Sequence, residues 1–235
     1  FKVGDQVYSY SWDNPHGGFY SEYVAVPAER VGHVPKGLTL REAGAIATTG
    51  LTAIQGIDDA LHLKAGDTLI IHGASGGVGS LALQFAKLRG VKVLATATGE
   101  DGMAFARQMG ADAVVDGRHG DIAAAARAFA PKGVDAVLAL AGGDMLEHCI
   151  DALRPGGHVA FPYGVEPEPK ARDGVPIARY NAIPGPREFE RLNQAIEALH
   201  LKVAIEAEFP LADAAKAQQR VEAGHILGKV ILKVR

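Results

Sequence analysis

Cysteine is almost missing from this sequence: Cys149 stands alone among 235 residues. An internal disulfide and a multi-cysteine metal site are thereby excluded, and a reducing cytoplasm is the economical expectation. Long apolar runs are missing too. Although 48% of the residues are hydrophobic, no stretch approaches the roughly 20 residues of a membrane-spanning helix. Neither sign of charge dominates, and a net charge of −3 leaves no basic surface for nucleic acid or an anionic membrane. No signal-peptide pattern, internal repeat or low-complexity tract is present. The chain opens on Phe1 and runs straight into FKVGDQVYSYSW, which reads as a piece of a longer protein.

What is present is alternation. DTLIIHG (67–73), VKVLATA (91–97), AVV (113–115), VDAVLAL (134–140) and HVAFPYG (158–164) are short, apolar and partly β-branched, as strands buried on both faces should be. Leu81, Leu83, Phe85, Ala86 and Leu88 belong to a helix ending near Gly90, and further helices are expected at 101–109, 121–129 and 144–153. This rhythm predicts an α/β fold with a doubly wound parallel sheet. Two more helices are expected: 184–200, with Pro186 near its start, and 211–224, stopping at a glycine. VEPEPKARDGVP (165–176) reads as a surface loop. The ends differ. Residues 1–34, broken by NPHGG (14–18), and the closing GKVILKV (228–234) do not continue the βαβ rhythm and read as parts of a second, β-rich domain.

The stretch HGASGGVGSLALQFAK (72–87) places Ser75, Gly76, Gly77, Val78 and Gly79 between a strand and a helix. Small residues there let the backbone approach a pyrophosphate, while the free N–H groups of the helix and its dipole favour negative charge. A ligand-free tight turn can be equally rich in glycine. The strand before and the helix after weight the reading toward a nucleotide.

With ATTGLTA (47–53), the opening GDQV and GGFYSEYVAVPAERV, and the closing GKVILKV, the turn resembles the medium-chain dehydrogenase/reductase superfamily, nearest to its zinc-independent NADPH:quinone oxidoreductases. The resemblance spans essentially the whole chain. It implies a Rossmann domain (36–203) joined to part of a GroES-like, β-rich catalytic domain (1–35 and 204–235), with nicotinamide in the cleft between them. It also implies that the tyrosine and asparagine often found near the nicotinamide lie upstream of Phe1, so no catalytic residue is named.

Zinc is not expected. Zinc-dependent relatives carry a four-cysteine lobe where residues 8–24 contain no cysteine, and their last catalytic ligand falls at Ala45, which cannot coordinate metal. His148 and Cys149 are adjacent on a helix and point apart. NAD-specific sites end the second strand on Asp or Glu; here Ala97 leaves room for a 2′-phosphate, with Thr96 or Thr98 as donors. NADPH is the expected cofactor, although Gly102 and Gly117 stand where relatives carry lysine and an aromatic or basic residue. Arg118 or His119 is the expected substitute for the missing base. Thr98 is also a helix cap for Glu100 and Asp101.

Thr49 and Thr52 are expected at the nicotinamide end or as helix caps. Gly142 and Gly143, and Phe161, Tyr163 and Gly164, follow strand ends where this fold binds cofactors; Tyr163 either stacks on the ring or packs. Trp12 and Tyr20 either touch substrate or pack. The implied reaction moves a hydride from NADPH to a quinone or an α,β-unsaturated carbonyl. The alternatives are an enoyl-reductase module of a polyketide synthase and a non-catalytic, crystallin-like NADPH binder. VPIARYNAI (175–183) matches the edge strand through which many members of the superfamily pair, so a homodimer is expected.

Overall fold

The computed structural model describes residues 1–15 and 17–234; His16, in the loop expected at 14–18, lies outside them. Near the start, β1 (Val7–Ser9) and β2 (Val31–His33) pair antiparallel. The first long element is α1 (Leu40–Gln55), a helix for which the sequence reading had no boundary. Its start is nevertheless written locally. Thr39 Oγ1 accepts the Glu42 amide (3.2 Å) and Glu42 Oε2 accepts the Thr39 amide (2.8 Å), a reciprocal capping box. The helix runs on into a π-helical turn at Gly56–Ala60. There the Tyr180 phenol donates to the Thr52 carbonyl (2.9 Å), and any side chain at Gly56 would collide with that phenol.

The centre is a six-stranded, all-parallel sheet built from β3 (Thr68–His72), β4 (Lys92–Ala97), β5 (Ala113–Asp116), β6 (Val134–Ala139), β7 (Leu153–Pro162) and β8 (Ile177–Tyr180). The order is β5-β4-β3-β6-β7-β8, so the winding reverses between β3 and β6. That reversal opens a crevice at the carboxyl ends of the strands. Ile70, Ile71, Leu94 and Val137 are fully buried, each worth about 1.5–3 kcal/mol relative to exposure. On one face, α1 packs with α2 (Gly79–Leu88), α3 (Gly99–Gln108) and α6 (Pro186–Leu199); on the other lie α4 (Ile122–Phe129) and α5 (Asp144–Asp151). Pro186 takes the first position of α6, where its missing N–H costs nothing. β7 begins at Leu153, earlier than expected, because residues 154–157 bulge before pairing resumes at His158.

The closing segment departs from expectation. β9 (Ile205–Pro210), α7 (Ala214–Glu222) and β10 (Lys229–Lys233) form a complete βαβ unit, with β9 and β10 parallel in a two-stranded sheet of their own. β9 alternates between exposed and half-buried residues, so it lacks the continuous apolar run of a central parallel strand. The amino-terminal hairpin is tied to α6: the Tyr8 hydroxyl donates to Asn193 (2.7 Å), and Asn193 donates to the His33 carbonyl (2.9 Å). None of the helices among the described residues is long and apolar enough to cross a membrane.

Asp135 bolts β3 to β6 at the lower end of the sheet. Its carboxylate accepts the Thr68 amide and hydroxyl (both 2.7 Å) and Arg154 Nε (2.6 Å). Burial pushes this carboxyl up, but Thr68 and Arg154 outweigh it and hold it below the usual range. A depressed folded pKa contributes stability that is present above the unfolded value, about 3.9, and is lost as pH falls through the folded one. Asp135→Ala should therefore lower unfolding free energy by about 2–3 kcal/mol near neutrality. Urea melts should show that gap narrowing below about pH 4; a gap independent of pH would rule out the carboxylate as its source.

Candidate functional site

The glycine turn leaves β3 at His72 and enters α2 at Gly79, and its glycines are small for different reasons. Gly73 has φ +85°, a left-handed conformation that favours glycine. A Cβ on Gly79 would lie 2.5 Å from the Gly73 carbonyl oxygen and 2.6 Å from Ala74 Cα, so the helix start is pressed on its own turn. At Gly77 a Cβ would lie 2.5 Å from Lys229 Cδ and 3.2 Å from the Gly228 oxygen. Gly76 alone faces open space, its nearest neighbour being the Gly73 oxygen at 3.7 Å. The start of β10 closes the turn from outside: Gly228 donates to the Ser75 carbonyl (3.0 Å) and bridges Gly76.

Beside the turn, at the crevice, lies a cavity of about 630 Å³. Its walls are the ends of β3 and β4 and the loops that follow β3, β4, β5 and β6: His72, Gly73 and Ser75; Thr96, Ala97 and Thr98; Gly117 and Arg118; and residues 141–145. His72 was not singled out from the sequence. Its Nδ1 lies 2.8 Å from Thr96 Oγ1 and 3.8 Å from Cys149 Sγ. Burial pushes the imidazole down to about 4 and the Cys149 thiol up to about 12, so both are neutral near neutral pH. Thr96, expected as a ligand donor, lines the cavity but is buried, and its Oγ1 engages His72 and accepts the Gly73 amide (3.3 Å).

Two cations near the glycine turn and cavity, Arg118 and Lys229, have no protein partner for their charged groups among the described residues, and of the two only Arg118 lines the cavity. Arg118 lies on the cavity wall, where Asp116 fixes its backbone by accepting the Arg118, His119 and Gly99 amides (2.7, 2.8 and 3.0 Å). Those bonds, the Arg118 amide first, hold the Asp116 carboxyl below the usual range. Lys229 is half-buried against Gly77, and burial lowers its pKa. His119 is exposed and stands off the cavity wall.

The remaining expected residues divide. Ser75, Thr98, Gly142 and Gly143 line the cavity. Gly142 is small because the Glu166–Pro167 backbone packs where its side chain would be, while Gly143 has φ +102° and open space. Thr98 takes the first-cap position of α3, but its side chain makes no capping bond. Thr49 and Thr52 are not caps. They lie inside α1, buried, donating to the Ala45 (3.4 Å) and Thr48 (2.9 Å) carbonyls. Phe161 is buried beneath the sheet near Cys149 and Leu146, away from the cavity. Tyr163 is exposed with the Arg179 guanidinium 3.6 Å from its ring centroid, and Gly164 has φ +91°. Trp12 and Tyr20 are exposed, the Tyr20 hydroxyl accepting from Gln218 (2.8 Å). Ala45 is buried in α1, and His148 is exposed while Cys149 is buried, so the two do point apart. No cluster of three or more His, Cys, Asp or Glu that could hold a metal occurs among the described residues.

A parallel sheet wound 3-2-1-4-5-6 with a glycine turn and a cavity at its switch point defines a dinucleotide-binding fold of the Rossmann type. The sequence model of the family described as zinc-binding dehydrogenase matches residues 109–232. A probable quinone oxidoreductase of Schizosaccharomyces pombe is 33% identical over 99% of this chain and 73% of its own length. The solved quinone oxidoreductase of Coxiella burnetii superposes with a TM-score of 0.85 at 28% identity, covering 100% of this chain and 74% of that one. A mycobacterial protein solved in complex with NADPH superposes at 0.78, with 28% identity over 88% of this chain and 69% of that one. The chain belongs to the zinc-binding dehydrogenase family, in the quinone oxidoreductase branch of the medium-chain dehydrogenases/reductases.

The glycines can be told apart by stability. Gly79→Val overpacks backbone and should cost about 1–3 kcal/mol, and Gly77→Val, which meets the movable Lys229 side chain first, should cost less. Gly76→Val should melt within about a degree of the unsubstituted chain, since a Cβ there meets only the Gly73 oxygen at an ordinary 3.7 Å. Equal destabilisation at all three positions in thermal melts would refute this division.

Proposed function

We propose that the chain is a zinc-independent reductase passing a hydride from NADPH to a quinone or an α,β-unsaturated carbonyl, with residues 36–203 as its dinucleotide half and residues 1–35 and 204–235 as the flanking unit. The observation that carries this reading is the conjunction at the switch point: a glycine turn, the start of α2, and Arg118 on the wall of one cavity, with Lys229 packed against Gly77 of the turn. NADPH, when bound, supplies the hydride from its nicotinamide. The chain's residues do the rest. Ser75 to Gly79 and the free amides of α2 would receive the pyrophosphate, with Lys229 adding a positive charge. Arg118 and Thr98 would hold the 2′-phosphate, and Ala97 places no carboxylate at the end of β4 itself. Gly142 and Gly143 would border the nicotinamide side. Alanine at position 45 cannot coordinate a metal, which favours chemistry without zinc, and the lone, buried Cys149 supports a cytoplasmic setting.

A second substrate reading within the same chemistry has its own support. A mycocerosic acid synthase-like polyketide synthase of Mycobacterium tuberculosis is 38% identical over 138 residues, 58% of this chain. An enoyl thioester is the acceptor in that case, so assays with 1,4-quinones, enals and crotonyl thioesters rank the candidates.

Cofactor titrations test the central proposal. Arg118→Ala should weaken NADPH about tenfold or more and barely change NADH, whereas Lys229→Ala should weaken both. Ala97→Asp should weaken NADPH and improve NADH relative to it. Gly76→Val should impair both without unfolding the chain. Failure of the chain to bind either dinucleotide would defeat the proposal.

We also propose a two-fold dimer through the open edge of β8. The Pro176 and Tyr180 carbonyls accept amides of β7, so the alternation of a parallel ladder turns the Ile177 and Arg179 amides outward. Arg179→Pro, rather than a change at Tyr180, should remove an edge donor and yield monomers in sedimentation. A monomeric unsubstituted chain at micromolar concentration would exclude this dimer.

A further inference from the structure

We infer that His225 governs the discrimination between NADPH and NADH, by holding Asp101 as a pair at the ribose end of the cavity whose net charge changes with pH. The inference rests on the dinucleotide reading above and deepens it. Asp101 stands in the first turn of α3, directly after β4, the strand whose carboxyl end carries the 2′ position in this fold. Its Oδ1 accepts the Gly102 amide (2.9 Å), and a Cβ on Gly102 would lie 3.8 Å from Ser75 Oγ, on the cavity wall. Its Oδ2 lies 2.7 Å from His225 Nε2.

His225 arrives from the far end of the chain, three residues before Gly228. Residues 225–229 thus run as a strap from the start of α3 to the glycine turn, where Gly228 and Lys229 rest. The imidazole's position is built into the fold. His225 has φ +51°, a conformation that L residues rarely adopt, and Arg220 of α7 holds it there by donating to the Gly224 (2.9 Å) and His225 (3.1 Å) carbonyls. Arg220 is itself paired with Glu206 of β9, which also accepts the Leu227 amide (2.6 Å). Glu100 stands exposed beside Asp101. Asp101 is therefore the carboxylate that the imidazole meets directly.

The electrostatic consequence differs between the two cofactors. Asp101 is held below the usual carboxylate range, first by His225 and then by the Gly102 amide, so it stays ionised across the useful pH range. Histidine is the side chain that gains its charge between about pH 8 and 5. With a charged imidazole the pair is neutral; with a neutral one a bare carboxylate faces an incoming 2′-phosphate of about −1.5 to −2. NADH carries an uncharged hydroxyl at that position. Protonation of His225 should thus tighten NADPH and leave NADH alone.

The test is nicotinamide-fluorescence titration of NADPH and NADH from about pH 5.5 to 8.5, on the unsubstituted chain, His225→Asn, Asp101→Asn and the double variant. Asparagine tolerates the left-handed backbone and removes the titrating ring. The 2′-phosphate's own titration is common to all four proteins and cancels in the comparison. The ratio of NADH Kd to NADPH Kd should rise about fivefold more toward low pH in the unsubstituted chain than in His225→Asn. Asp101→Asn should favour NADPH at high pH and flatten the profile, and the double variant should match it. If His225→Asn does not fold, the Asp101→Asn profile carries the test alone. Profiles that superimpose while NADPH still binds would overturn the role of His225 only. Loss of all dinucleotide binding by the folded, unsubstituted chain would instead overturn the reading beneath it.

Discussion

Three stretches of backbone meet at the glycine turn with no side chains between them, and the rest of the molecule depends on that contact. The end of β3, the start of α2 and the start of β10 approach so closely that Gly77 and Gly79 have no room for a Cβ. Pressing α2 onto the turn aims its unbonded amides along the crevice. Bringing β10 against the turn carries Lys229 to the same place and anchors the strap that ends at His225. A single steric condition therefore sets the helix, the cation and the closing segment together.

Electrostatics in the cavity follow from how its walls are satisfied. His72 and Thr96 form a buried, uncharged part of the wall, with His72 Nδ1 turned to Thr96 Oγ1 and to Cys149 behind it. The charged groups sit at the rim. Asp116 spends its carboxylate on three backbone amides, which fixes the loop and frees the Arg118 guanidinium to face the cavity. A neutral interior with Arg118 at its edge suits a long, anionic cofactor with an uncharged, reactive ring.

The flanking elements are held to this centre by a few directional ties. The Tyr8–Asn193–His33 chain docks the amino-terminal hairpin on α6. Gln84 of α2 grips both the Lys202 amide (2.9 Å) and carbonyl (3.0 Å) just before β9. Such contacts position the β9–α7–β10 unit, so the strap's reach toward Asp101 is inherited from packing far from the cavity.

How much of this was legible in the sequence depended on the range of the interaction. Strands such as 67–73 and 134–140, the helices between them and the turn at 75–79 are specified by neighbours a few residues apart, and they appear where the residues predict. The capping box at Thr39 and Glu42 was equally local, but α1 is buried over most of its length and so lacks the polar stripe that marks a helix. β9 hid for the opposite reason, alternating like a half-exposed strand. Small size at Gly77, Gly79 and Gly142 read as room for a ligand, whereas what requires it is backbone at Gly79 and Gly142 and first the Lys229 side chain at Gly77. Lys229, His72 and His225 carry no local signature at all. Their meaning comes from partners 24 to 152 residues away in the chain: Thr96, Gly77 and Asp101. The sequence by itself determined the elements and the phosphate-binding turn, because period and backbone geometry are short-range. Only the tertiary structure decided which side chains share the cavity and which are committed elsewhere, because that depends on which distant segments come within hydrogen-bonding reach.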